Sequence, residues 1–373
     1  MNRNYPVLRI RQIGTKFEFE LTDPLSMQII GIDRKKAKFT AASRNILASY
    51  SSLVGLAGSG NEKNRKLFHD DLNFLAVQAG EILSSVLKDL GFDARKNSNL
   101  ALALDDQTVK IPWELAFLRK DPKTGNREML CEKLGVGRLR VVKAPEWFNP
   151  PDKRRKNKAL VVGNDYKNTK RKLKTLEHAE EEADIVANII RKHGFRDPIV
   201  LKGPNATKGA ILKELREGVD LFHFSGHGEM SRNSSKLNLN DFDLSAIEFE
   251  NERCSAPRLT FFNACESSID TPKKEKPASV PHSWAYAMAG QGGRVFIGTL
   301  WTVCEPCAGR FAEEFYTEFF VGGKTLAEAM KVARTTTYLE ENCKKYTDEP
   351  SDYTWPAYML YGIPTMIKHD IMR

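Results

Sequence analysis

Val219-Asp220-Leu221-Phe222-His223-Phe224-Ser225-Gly226-His227-Gly228 decides how the rest of the chain reads. An apolar run rises from Asp220 and breaks off in a Ser-Gly-His-Gly turn. Leu259-Thr260-Phe261-Phe262-Asn263-Ala264-Cys265-Glu266-Ser267-Ser268 repeats the design, with a cysteine where the first stretch has a histidine. Short, unbroken apolar runs of this kind predict parallel strands buried on both faces. In open α/β sheets ligands gather outside the carboxyl ends of such strands. Cys265 lies about 40 residues beyond His227, enough for the crossover that a parallel pair requires. Neighbouring strands would then deliver an imidazole and a thiol to one edge, the arrangement of a Cys-His nucleophilic site.

That chemistry needs these residue types. A free thiol titrates near pH ~8.5, so at neutral pH it needs a base or a positive charge to become a nucleophile. His227 is placed to take the thiol proton and return it to a leaving amine. Gly226 and Gly228 let the backbone turn tightly and approach a substrate where a Cβ would clash. The N–H groups of Gly228 and Cys265 are the candidate oxyanion donors. Taken singly, Cys265 reads as an inert buried cysteine and His227 as a loop histidine; their shared place at successive strand ends favours the catalytic reading. No third catalytic side chain is evident, and a thiol does not strictly require one. Ser225 and Asn263 would shape the strand ends, and His223 reads as core.

Upstream, Val7–Gln12 and Lys16–Leu21 predict a hairpin closed by Pro24, Ala41–Leu56 and Leu67–Leu90 predict helices, and Leu100–Leu104 and Val109–Ile111 short strands. Trp113 reads as a core anchor. Prolines 145, 150 and 151, amid a charge run, mark 145–158 as a linker between an N-terminal half, 1–144, and a second half, 159–373. The second half alternates strand and helix: Ala159–Gly163, Leu176–Lys192, Pro198–Leu201, Ala206–Leu215, then the two quoted strands, Arg294–Trp301, Ala308–Phe320, Leu326–Leu339 and Tyr358–Tyr361. Such alternation predicts a mostly parallel sheet with helices on both faces. In the helix from Leu176, the residues placed to pack are Ala179, Ala183, Ile185, Ile189 and Ile190.

His-Phe-Ser-Gly-His-Gly followed by Asn-Ala-Cys-Glu-Ser resembles the CHAT domain, a caspase-like group of cysteine peptidases related to separase. Ile111-Pro112-Trp113-Glu114-Leu115, Gly298-Thr299-Leu300-Trp301 and Trp355-Pro356-Ala357-Tyr358-Met359-Leu360-Tyr361-Gly362 resemble further family segments in order. The resemblance implies an α/β, caspase-like three-layer sandwich with a mostly parallel central sheet, preceded by a smaller α+β half. It also implies a cysteine endopeptidase acting on a specific protein, switched on by a signal or partner chain, as in bacterial defence and cell-death systems. The alternative is a catalytically silent scaffold that holds partners. The family often carries an aspartate near Cys304; this chain does not, so a substrate-pocket role for that loop is not carried over.

A basic-specific peptidase of this type buries an acid in its pocket, and Glu266, Glu305 and Asp243 are the candidates; Asp220, at the opposite end of its strand, ranks below them. The polar stretch Glu229–Leu239 and the segment Asp270–Pro281 read as gating loops beside the two reactive residues.

Composition supports a globular protein: 41% hydrophobic and 28% charged residues over 373 positions. No apolar run is long enough to span a membrane, and Met1–Pro6 has no signal-peptide core, so a cytoplasmic location is expected. Six cysteines, mostly in apolar runs, do not make a disulfide framework in so long a chain. Cys304-Glu305-Pro306-Cys307 is a lone Cys-x-x-Cys, short of the four ligands a structural zinc takes and without thioredoxin-like context, so no metal or cofactor is expected. Part of the +9 charge collects at Lys153-Arg154-Arg155-Lys156, Lys158, Lys167 and Lys170-Arg171-Lys172. No aromatic residues interleave with it, and direct nucleic-acid binding is not expected.

Overall fold

The computed structural model describes residues 5–14, 16–23, 28–35, 38–57, 62–118, 128–139, 157–230, 234–252, 254–264, 284–338 and 353–372. The chain forms two compact units. The first is Met1–Leu139 with Leu326–Lys331 and Ile363–Thr365; the second is Arg140–Thr325 with Val332–Gly362 and Met366–Arg373.

In the first unit, β1 (Val7–Ile13) and β2 (Lys16–Asp23) form the expected hairpin, Gly14 supplying a positive φ of 60° at its turn. A further strand, β3 (Gln28–Lys35), pairs antiparallel with β2, whereas the sequence predicts that the hairpin closes at Pro24. Helices α1 (Lys38–Leu56) and α2 (Glu62–Asp89) pack on each other. On α2, Leu72, Leu75, Ala79, Ile82, Leu83 and Val86 are buried at helical spacing, the stripe that the sequence displays. Strand β4 (Asn99–Leu104), a short helix α3 (Leu130–Lys133) and β5 (Gly135–Leu139) complete the unit, in the order β3-β2-β1-β4-β5.

Val109–Ile111 is not a strand. Asp105 Oδ1 accepts the N–H groups of Gln107 (3.0 Å) and Thr108 (2.8 Å), curling Thr108–Lys110 into a 3-10 turn. Trp113 is fully buried as expected, donating its indole N–H to Thr108 O (2.9 Å) and meeting Phe17 and Phe19 edge-on. Behind it Arg138 and Glu114, each 2% exposed, form a two-pronged ion pair; Arg138 also donates to the carbonyls of Val109 and Ile111.

The second unit opens with β6 (Ala159–Gly163), α4 (Ala179–Lys192), β7 (Ile199–Lys202), α5 (Lys208–Glu217) and β8 (Leu221–Ser225). Thr207 caps α5 by accepting the Ala210 N–H. A small antiparallel sheet follows, β9 (Gly228–Met230), β10 (Ser235–Asn238) and β11 (Asp243–Ser245), then α6 (Ala246–Asn251), β12 (Leu259–Asn263) and α7 (Trp284–Gly290). The described part of Glu229–Leu239 is therefore mostly paired strand rather than loop. The unit closes with β13 (Val295–Thr299), α8 (Glu305–Phe320), the part of α9 (Leu326–Tyr338) from Val332 onward, β14 (Tyr358–Tyr361) and α10 (Lys368–Met372).

Its main strands run β14-β13-β12-β8-β6-β7, parallel except for β14. β8 and β12 are buried along their full lengths, as their unbroken apolar runs require. Alternate side chains serve two layers. Phe222, Phe224 and Phe262 cluster with Trp284 of α7, while His223 and Phe261 meet Tyr316 of α8. α4 packs beside α8 on that second face. This is the expected three-layer α/β architecture.

Candidate active site

β8 and β12 pair in parallel with Asn263 opposite Ser225. Ser225 lies two residues before His227, and Asn263 two residues before Cys265, so the ladder brings both strand ends to the same level. The pairing continues past the strand, since Gly226 N–H donates to Asn263 O (3.1 Å). Cys265 and Glu266 themselves lie outside the described residues, as do Asp270–Pro281 and most of the 145–158 linker.

His227 is partly exposed and held on three sides. Its backbone N–H donates to Tyr166 Oη (2.8 Å), and its carbonyl accepts from Asn238 N–H (2.9 Å). The Tyr166 ring stacks on the imidazole at 4.7 Å and 24°. Nε2 sits 2.6 Å from the carbonyl oxygen of Lys174. A carbonyl only accepts, so this contact assigns the proton to Nε2 and, in the neutral ring, leaves the lone pair on Nδ1. The loop that supplies Lys174 is tied to the small sheet: Tyr166 Oη donates to Asn238 O, Thr169 Oγ1 to Asn240 O (2.7 Å) and Arg171 Nη1 to Leu239 O (2.9 Å).

The His227–Asn238 bond fixes the phase of the β9–β10 ladder. Gly228 faces Leu237 as a non-bonded pair, so its N–H points away from β10. Gly226 is needed for close approach. A Cβ there would stand 2.7 Å from Phe224 Cζ and 2.8 Å from Tyr166 Oη. Gly226→Ala should push Phe224 and Tyr166 aside, displace the imidazole by a fraction of an ångström and cost about 1–3 kcal/mol of stability, as a thermal melt would read.

Of the pocket candidates, Asp243 is ion-paired with Arg171 (2.5 Å) and accepts from Asn238 Nδ2 (2.9 Å). Glu305 Oε1 accepts the backbone N–H of His178, at the start of α4. Asp220, fully buried just before β8, has Oδ1 3.5 Å from Arg258 Nε. Within the basic region, Lys158 pairs with Glu214 and Glu217, Lys167 with Glu177, and Arg171 with Asp243. Cys304 stands at the N-cap position of α8 without a capping bond from its side chain, and Cys307 is buried one turn on.

Sequence reasoning missed Tyr166, the Lys174 carbonyl and Glu182. For Glu182 a signal existed. The buried face of α4 is Ala179, Glu182, Ala183, Val186, Ala187 and Ile190, an apolar stripe with one acid in it. Ile185 and Ile189, assigned to that face from the sequence, are only partly buried.

Comparison with known structures agrees with this fold. Separase from Saccharomyces cerevisiae, solved with securin, superposes with a TM-score of 0.57 at 12% identity over 96% of this chain, which spans 30% of the separase chain. Gingipain R, the Arg-specific cysteine proteinase of Porphyromonas gingivalis, gives 0.51 at 12% identity, covering 88% of this chain and 76% of its own. No curated protein matches the sequence. The fold is thus that of the caspase-like cysteine peptidases. The CHAT domain model matches residues 75–363, more than half of the chain, and the protein belongs to the CHAT domain family. No helix among the described residues is long and apolar enough to cross a membrane.

Proposed function

We propose that the chain is a cysteine endopeptidase in which Cys265 is the nucleophile and His227 the general base. The observation that carries this reading is the in-register end of β8 and β12, with the imidazole fixed through Nε2 and its Nδ1 left to meet a thiol. In the proposed reaction Nδ1 takes the Cys265 proton and the thiolate attacks the scissile carbonyl. The oxyanion is met by the N–H groups of Gly228 and Cys265, and the imidazolium then returns its proton to the departing amine. Water, activated by the same imidazole, hydrolyses the thioester and frees the enzyme. No cofactor enters this scheme.

The substrate is a specific protein, and activity is switched on by a signal or a partner chain, in keeping with a cytoplasmic bacterial defence or cell-death role. The separase structure that this fold resembles is a complex with securin, a precedent for control by a bound polypeptide. The test is terminal-peptide mass spectrometry of cells expressing wild type or Cys265→Ala together with the neighbouring gene products, with and without the natural trigger. New N-termini confined to wild type are expected, and they identify the residue before the cut. Identical termini in both strains under both conditions would favour the silent scaffold.

A further inference from the structure

Beneath the proposed dyad lies a polar cluster that the reaction scheme does not use. Glu182 of α4 is 4% exposed, and each of its oxygens takes a hydrogen bond from a different strand. Oε1 accepts from Asn263 Nδ2 (2.6 Å), and Oε2 accepts from Ser225 Oγ (2.9 Å). Asn263 is held further: Nδ2 also donates to Ala308 O (2.9 Å), and Oδ1 accepts from Tyr358 Oη (2.6 Å). His223 Nε2 stands 2.9 Å from Glu182 Oε1, off the line of a hydrogen bond, while its Nδ1 is 3.3 Å from Tyr316 Oη. Burial, and then the charge of Glu182, push the Tyr316 hydroxyl well above its ordinary pKa, so it stays protonated.

One carboxylate therefore bridges the last residue of β8 and the last residue of β12. A buried carboxylate costs free energy that an apolar side chain on the same helix face would not, so its presence asks for a reason. The bridge supplies one. Ser225 precedes His227 by two residues and Asn263 precedes Cys265 by two, and the ladder between these strands sets their register but not the pitch of the turns that leave it. We propose that Glu182 is a positioning residue that clamps the two strand ends and so fixes the separation of the His227 imidazole and the Cys265 thiol. This deepens, and rests on, the dyad reading above. A carboxylate suits the task because it accepts on both sides at once. A glutamine can replace it, since the Ser225 hydroxyl can rotate to accept from the amide while the amide oxygen still faces Asn263.

The test reads Cys265 directly. Iodoacetamide labelling of the full chain is followed against pH by peptide mass spectrometry in wild type, His227→Ala, Glu182→Ala and Glu182→Gln, beside turnover of the substrate peptide. Cys254 is an internal control, since burial pushes its thiol up to about 11. In wild type the imidazole should hold the Cys265 thiol below the ~8.5 of a free cysteine. Glu182→Ala should raise it toward the His227→Ala value and cut kcat by about 10²-fold, with KM changed by about twofold or less. Glu182→Gln should recover most of both losses. A folded Glu182→Ala protein with wild-type labelling and kcat overturns the clamp, as does Glu182→Gln failing as badly as Glu182→Ala. If Glu182→Ala does not fold, Ser225→Ala cuts the β8 arm alone; a raised Cys265 value supports the clamp and an unchanged one overturns it. Identical profiles in wild type and His227→Ala would overturn the dyad reading and the clamp with it, whereas an effect of His227→Ala without one of Glu182→Ala overturns the clamp alone.

Discussion

His227→Ala should lower turnover of the substrate peptide by about 10³–10⁴-fold at pH 7, near the upper end of what a positioned general base contributes. Two losses combine. Without the imidazole, Cys265 reverts toward an ordinary thiol, only a few per cent ionised at neutral pH. The leaving amine also loses its proton donor. The sign of the pH dependence follows. The residual activity of the variant should climb as pH rises toward ~8.5–9, where a free thiol ionises, whereas wild type, if the proposed base acts, should not need that rise. Initial rates across pH 6–9 measure this, and a variant profile parallel to wild type would remove His227 from the mechanism.

The largest stability effect is expected in the first unit. Arg138→Met deletes one partner of an ion pair buried to 2% on both sides and leaves the Glu114 carboxylate without its cation. It also strips Val109 O and Ile111 O of a donor. The cost should be about 3–5 kcal/mol, read as a lowered urea midpoint. Replacing both partners with apolar residues of similar volume should cost much less, because the single variant suffers chiefly from the charge it strands. A double variant as unstable as the single one would show that the guanidinium's carbonyl bonds, not the charge pair, hold this region.

How far the sequence could be read depended on the reach of each interaction. β8 and β12 were legible because a run buried on both faces cannot hide its composition, and the small polar residues after each run marked the edge where ligands gather in such sheets. α2 showed itself through apolar spacing alone. Failures came where a distant or side-chain contact overruled local pattern. Val109–Ile111 has strand-like residues, yet the Asp105 carboxylate curls the preceding stretch. The helix expected from Leu176 begins at Ala179, because Leu176 N–H is taken by Asp165 O, while Glu305, far along the chain, receives the N–H of His178. β3 follows a proline that reads as a stop. At the candidate site, the imidazole and thiol were readable as residue types, but the groups that orient the imidazole are a tyrosine and a main-chain oxygen from a loop without motif.

That main-chain oxygen bears on how such sites are inherited. The Lys174 carbonyl holds the His227 ring, and every amino acid brings the same carbonyl. Drift at position 174 is therefore free to change the side chain without touching the contact. What must be kept is the number of residues between Tyr166 and Lys174 and their tether to the small sheet. The constraint falls on chain length rather than on letters, so related chains can keep this hold on the ring while a column-by-column alignment shows nothing constant there.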